Sequence, residues 1–426
     1  MAETVWQAIR GFKPFYGWWI VFASVVVINV SGSFVAYGFP VLFDPIQREL
    51  GWSTAAIALA FSLRSEVRSL GAPVAGFLVD RFGPRTMMAA GLGVMGTAFL
   101  WLSGVDSLLG FYAAFVLLSM GGSVCNPSIP AVAVARWFVR WRSRALAILM
   151  VGMALGGLCA PAMGWLVVQY GWRGSLVALT ALAWAVGFPF TATIRDRPES
   201  SGLFPDGEPE RHDQESSGER VKGGEFTVGM ALRSRAFWHL LGAMTLTGLG
   251  TTPIMTLLIP ALLKEDFPIE TAVLAAAAIP IVSIPGRLCF GWWGDYLNKR
   301  KLLAACAALQ ALALLVLAGT AATPLLIVFV VLYGSASGGS GPLRTALQAD
   351  YFGTKAMGTI QGLLQGFTFV DALLAPVFVG LTVDLVGSYR PAWFVLGLCV
   401  ALAGPVLLTM PRPGTTVTPT TGASAR

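Results

Sequence analysis

Residues Gly76 to Arg85 read GFLVDRFGPR, and residues Gly291 to Arg300 read GWWGDYLNKR. Setting Asp80 on Asp295 shifts the chain by 215 residues. A second pair of stretches, ARWFVRWRSRALAILMVG from Ala135 and ADYFGTKAMGTIQGLLQG from Ala349, matches at a shift of 214. Two independent matches at nearly one offset, close to half the chain length, mark a parallel internal repeat.

The units that repeat are membrane helices. Apolar residues make up 55% of the 426, and charged residues only 12%. Mean hydropathy is +0.70, more apolar surface than a soluble chain of this length can cover. The apolar runs have bilayer-helix length, about twelve of them, between 17–40 and 390–410. This predicts an all-α membrane protein with two pseudo-symmetric six-helix bundles at 1–194 and 231–410. Between them lies a polar linker, 195–230, rich in charge, Gly, Pro and Ser, and a tail follows at 411–426. The leader MAETVWQAIRGFKPFY lacks a small-residue cleavage site and reads as a retained N-terminus.

Charge placement sets the expected orientation. Arg81, Arg85, the run RWFVRWRSR from Arg136, the linker and Lys299-Arg300-Lys301 fall on one side, whereas Arg48, Arg173, Lys264 and Arg390 stand singly on the other. The positive-inside rule makes the first side cytoplasmic, with both termini, in a plasma (inner) membrane. The net charge of +7 is thereby a topology signal that contacts lipid headgroups, and no nucleic-acid partner is expected. Five scattered cysteines and two isolated histidines offer no disulfide frame and no metal site. No Gly-x-x-x-x-Gly-Lys-Ser/Thr loop is present, and no cofactor is expected.

The loop at Gly76, Asp80, Arg81, Gly83 and Arg85 resembles the signature between the second and third helices of the major facilitator superfamily, with Pro84 before the last arginine. The second copy keeps Gly291, Asp295 and Arg300. The resemblance implies the major facilitator fold over nearly the whole chain, with these loops closing the cytoplasmic side of an outward-open state. A narrower resemblance is to the monocarboxylate-porter and oxalate/formate-antiporter branches. It rests on FYGWWIV at the first helix and RWFVRWRSRALAILMVGMALGGLCAP at the fifth. In those branches an eighth-helix arginine binds the substrate carboxylate, and SIPGRLCFGWWGD puts Arg287 there. Other family positions differ. The aspartate four residues earlier is Ser283, the first-helix lysine matches Val41, and the eleventh helix carries Asp371 where the oxalate exchanger has a lysine. Carboxylate binding carries over on this resemblance, and proton coupling through the family's Lys/Asp pair does not.

The intramembrane charges also have a reading from the residues alone. Arg287 stands eight residues before Asp295, roughly 12 Å into the membrane, and its own helix supplies no acid within four positions. Its planar fork suits a carboxylate, and a salt bridge to another helix is the alternative. In FSLRSEVRSLGAP, Arg64 and Arg68 share a helix face and Glu66 lies opposite. Pairing of either arginine with Asp371 between the bundles is expected to make or break with transport, or to act as a static clamp. Asp371 is also a candidate proton site, and Arg344 is near enough to the loop to snorkel. Asn126, Tyr37, Tyr333 and Phe367 are candidates for the cavity wall. Gly152, Gly156 and Gly164 form a smooth face on the fifth helix.

These residues predict a secondary transporter, not an enzyme, working as a monomer by alternating access. Its expected cargo is a small organic anion, a monocarboxylate, driven by a proton or anion gradient. Export of drug-like amphiphiles is the alternative within transport, and a non-transporting receptor is the alternative outside it.

Overall fold

The structure is a computed structural model that describes residues 15–125, 128–154, 156, 159–199, 202–207, 226–320, 322–367 and 369–411. Among the described residues every regular element is a helix. Nine helices among the described residues are long and apolar enough to cross a membrane. The twelve expected spans are all met by helix. The second, Thr54–Phe82, is too polar to count among the nine, and the eleventh is described in two pieces, Met357–Phe367 and Phe369–Val386. The fifth and sixth run together as Cys159–Leu182, where Gly171, at φ 67, breaks the helical backbone between them. A left-handed residue at that point favours glycine. The first span begins at Tyr16–Ile28 and continues as a π-helix through Asn29–Gly38.

Two compact units divide the chain. The first holds residues 1–71 and 82–214, and the second holds 72–81 and 215–426. The C-terminal end of the second span therefore clusters with the second unit, apart from the rest of its helix.

In the first unit the core is aromatic. Phe39 meets Phe115 edge-on at 5.5 Å, and Phe111 lies 4.7 Å from Phe115. The head of the linker is part of this unit. Asp196 Oδ1 accepts from the backbone N–H of Arg85 at 2.8 Å, and Asp206 Oδ2 accepts from those of Val139 and Arg140 at 3.0 and 2.8 Å. Acidic linker residues thus answer N–H groups at turns and helix starts that the chain leaves unpaired.

In the second unit the eighth span, Ile269–Tyr296, lies along the tenth, Thr323–Phe352, with no side chain between them at several points. A Cβ on Gly286 would stand 2.5 Å from the Ser335 carbonyl oxygen, and one on Gly338 would strike the Ser283 carbonyl. Small residues permit this backbone approach, as in membrane helix pairs generally.

Each unit, taken by itself, carries the same fastenings. In the first, Arg173 Nε donates to Glu49 at 2.8 Å, Nη2 to Asp106 at 2.7 Å and Nη1 to the Ser103 carbonyl at 2.8 Å. In the second, Arg390 Nη2 meets Glu265 at 2.6 Å and the Thr320 carbonyl at 3.4 Å. Left-handed glycines, Gly171 and Gly387, precede both arginines. At the opposite end, Trp137 Nε1 donates to the Arg195 carbonyl at 2.9 Å and Tyr351 Oη to the Pro411 carbonyl at 2.6 Å. Apart from the Asp106 bond, these pairs repeat at shifts of 214 to 217 residues, so the repeat read from loop residues is also one of contacts.

Candidate functional site

The signature loop explains its own residues. Asp80 Oδ1 accepts from the Gly358 N–H at 2.9 Å, and Oδ2 accepts from the Thr359 N–H and hydroxyl at 2.7 and 2.6 Å. These are the opening residues of Met357–Phe367, so Asp80 caps a helix start, where free N–H groups and the helix dipole favour a carboxylate. Gly76 has no room for a side chain, because its Cβ would strike the Gly358 carbonyl. A Cβ on Gly362 would strike the carbonyl of Ala72 in the same way. Gly83 carries φ +84 and sits where any Cβ would be 2.7 Å from an Asp196 oxygen. Both constraints require glycine there. Arg81 and Arg85 are exposed, and Asp295 is half-buried. Arg300 Nη1 donates to the Met410 carbonyl at 2.6 Å, tying the second loop copy to the end of the last span.

Arg287 is half-buried beside the glycine seam of the eighth and tenth spans. Gly286 precedes it against Ser335, and Phe290, one turn on, lies 2.5 Å from the place of a Gly339 Cβ. Its helix is therefore held at fixed rotation on the tenth, which fixes the direction in which the guanidinium leaves the backbone. Ser283 is buried, with its hydroxyl donating to the Pro280 carbonyl at 2.6 Å.

Asp371 lies in the second unit, 5% exposed, and its Oδ1 has no hydrogen-bond partner among the described residues. Its carboxylate occupies the space that a Cβ on Gly248 of the seventh span, Arg235–Lys264, would take. The cation whose charge acts on it among the described residues is Arg344, half-buried on the tenth span. Sequence reasoning lets Arg344 snorkel to the loop. The fold brings its charge to act on an acid 27 residues further on, which no helical spacing reveals. The partners expected for Asp371, Arg64 and Arg68, have side chains outside the described residues, as have Glu66 and Tyr37; Asn126 is also outside them.

Two of the residues expected at the cavity wall, Tyr333 and Phe367, are placed as follows. Tyr333 is wholly buried, stacked 5.5 Å from Phe329 in the packed core of the second unit. The next residue, Gly334, packs on Val282 of the eighth span, which turns this part of the helix inward. Phe367 is exposed and tilts against Trp238 at 6.4 Å, one member of an outer apolar surface. On the fifth span Gly152 makes a tight approach to Val25, and a Cβ on Gly164 would meet nothing among the described residues.

A duplicated set of membrane helices, a capped signature loop and intramembrane charges define a secondary-transporter class of protein. The family model described as Major Facilitator Superfamily matches residues 20–288 and 240–425. The chain belongs to the Major Facilitator Superfamily and is a multi-pass integral membrane transporter. It is 27% identical to monocarboxylate transporter 13 of Bos taurus over 95% of this chain and 92% of that one. It is 24% identical to monocarboxylate transporter 12 of Rattus norvegicus, over 92% and 85% of the two chains. The E. coli fucose:proton symporter FucP (N162A) has the same fold, with a TM-score of 0.71, 14% identity and coverage of 94% of this chain and all of that one.

Proposed function

We propose that this transporter carries a small organic anion, a monocarboxylate, with Arg287 holding the carboxylate and a proton or counter-anion gradient driving transport. The observation that carries the reading is a half-buried arginine within an apolar span, at a position fixed by the glycine seam. A guanidinium at membrane depth costs a few kcal/mol, so such residues are kept for ligands, ion pathways or coupling. Its fork matches a carboxylate through two parallel hydrogen bonds. The relatives named monocarboxylate transporters support the same cargo class. With the basic loops on the cytoplasmic side, the Asp80 cap on Gly358 and Thr359 serves as a closure that must release when access alternates. The protein works as a monomer.

Uptake of labelled L-lactate by proteoliposomes tests this, with wild type beside Arg287→Gln and Arg287→Lys. Losing a charge-assisted pair costs about 2 kcal/mol, so the Gln variant should bind roughly thirtyfold more weakly. Lysine restores charge but not the fork and should recover part of the loss. Equal lactate uptake by wild type and the Gln variant would reject the role of Arg287, and no lactate uptake by wild type would reject the monocarboxylate cargo.

A further inference from the structure

We propose that Asp371, seated in the notch at Gly248, is the proton-binding site that couples transport. It deepens the anion-carrier reading and rests on it for the cargo, though not for the proton. Two helices build the site, the seventh giving the notch and the eleventh the carboxylate, and Arg344 on the tenth acts on it through its charge. The Asp371 carboxylate is buried with Oδ1 unpartnered among the described residues, an arrangement that costs free energy while the group is ionised and is relieved by a proton. No side chain can fill the notch without displacing the carboxylate, so position 248 is reserved for it.

The surrounding charges define the logic. The seventh, eleventh and twelfth spans pack together here. On the seventh, Arg235, His239 and Lys264 all lie at least nine residues from Gly248, well over 10 Å along the axis. The piece Met357–Phe367 carries no charge, and on the twelfth Arg390 opens the helix, held by Glu265. Asp384 lies 13 residues beyond Asp371 on the same helix. Arg344 is thus the charge that acts on Asp371 among the described residues, and together the two are neutral. A proton from solvent that bonds to a carboxylate oxygen of Asp371 removes the negative member of the pair. Arg344 then leaves an excess positive charge in the unit, and an anion restores neutrality. Proton and anion are taken up as a neutral sum, which lowers the electrostatic cost of carrying either through the bilayer.

Two readouts test the site, one without any cargo. Infrared difference spectra of purified protein, titrated from about pH 8 to about pH 5, report a protonated carboxyl. The band should be present in wild type, lost in Asp371→Asn and retained in Arg287→Gln. In Arg344→Gln its midpoint should move, because that charge is gone. Lactate counterflow in proteoliposomes is the second readout. Wild type should speed up several-fold as pH falls through that window, and Asp371→Asn, resembling the protonated form, should exchange lactate at a rate independent of pH. Gly248→Ala, which displaces the carboxylate while keeping it in the chain, should also lose the band and serves if the Asn variant does not fold. An unchanged band in Asp371→Asn, an unmoved midpoint in Arg344→Gln, or wild-type pH dependence in Asp371→Asn overturns the proposal. A wild-type band that vanishes in Asp371→Asn, with no lactate counterflow by wild type, upholds the proton site and rejects the monocarboxylate reading instead.

Discussion

Asp80 spends both carboxylate oxygens on one helix start, accepting from two backbone N–H groups and one hydroxyl. A residue in that role is valued for shape as well as charge, since the helix start has N–H donors that nothing else on the helix satisfies. Replacement by alanine should therefore destabilise the folded protein by about 1–2 kcal/mol, the usual cost of losing such a cap. Thermal unfolding of the purified variant measures it. Asparagine, which keeps acceptor capacity on one oxygen, should lose less. No difference between Asp80→Ala and wild type would mean that the cap is not formed under the conditions of the measurement. Gly76 and Gly83 belong to the same lesson. One is glycine because a carbonyl of another helix fills its Cβ position, the other because of its backbone angle and a linker carboxylate.

At the scale of elements, the Arg173 and Arg390 fastenings each hold three helices by their ends. Glu49 has its pKa held below the usual carboxylate value, first by the hydrogen bond from Arg173 and then by that from Trp172. A lowered carboxylate contributes stability in full above its unfolded value, and the contribution is lost as pH falls through the lowered one. Glu49 is largely exposed, so solvent screening limits the effect. Glu49→Gln should cost about 1 kcal/mol at neutral pH. The gap to wild type should close as the medium is made more acidic than the ordinary carboxylate range. Unfolding curves at several pH values check both the size and the sign; a gap that widens in acid would contradict the assignment. The fastening in the second unit uses Ser388 as a further donor to Glu265, at 3.2 Å, in place of a tryptophan.

For the whole molecule, the linker has two ends with different attachments. Asp196 and Asp206 dock in the first unit, and the Phe226 N–H donates to the Phe352 carbonyl in the second at 3.3 Å. A cut between residues 208 and 225 thus spares the docked ends. Residues 72–81 belong to the chain before the cut yet cluster with the unit after it. The two fragments, co-expressed, should therefore copurify and recover transport, whereas fragment 1–207 alone should be the less stable for lacking partners for its residues 72–81. Fragments that elute separately would show that this packing does not hold the chain together.

Much of this was legible in the residues. Hydropathy and run length dictated membrane helices, because a bilayer core accepts only backbone that satisfies its own hydrogen bonds. The duplicated loops around Asp80 and Asp295 dictated the repeat, and with it the fold class. The candidate charges Arg287 and Asp371 stood out because ions in apolar segments are costly. What the chain lists in one dimension does not say which helix faces which. The burial of Tyr333, the notch at Gly248, the action of Arg344 on Asp371 and the docking of Asp196 and Asp206 all depend on helix rotation and close approach. Those are settled by packing among residues tens to hundreds of positions apart, where glycines let backbones touch and only the folded chain decides which atoms meet.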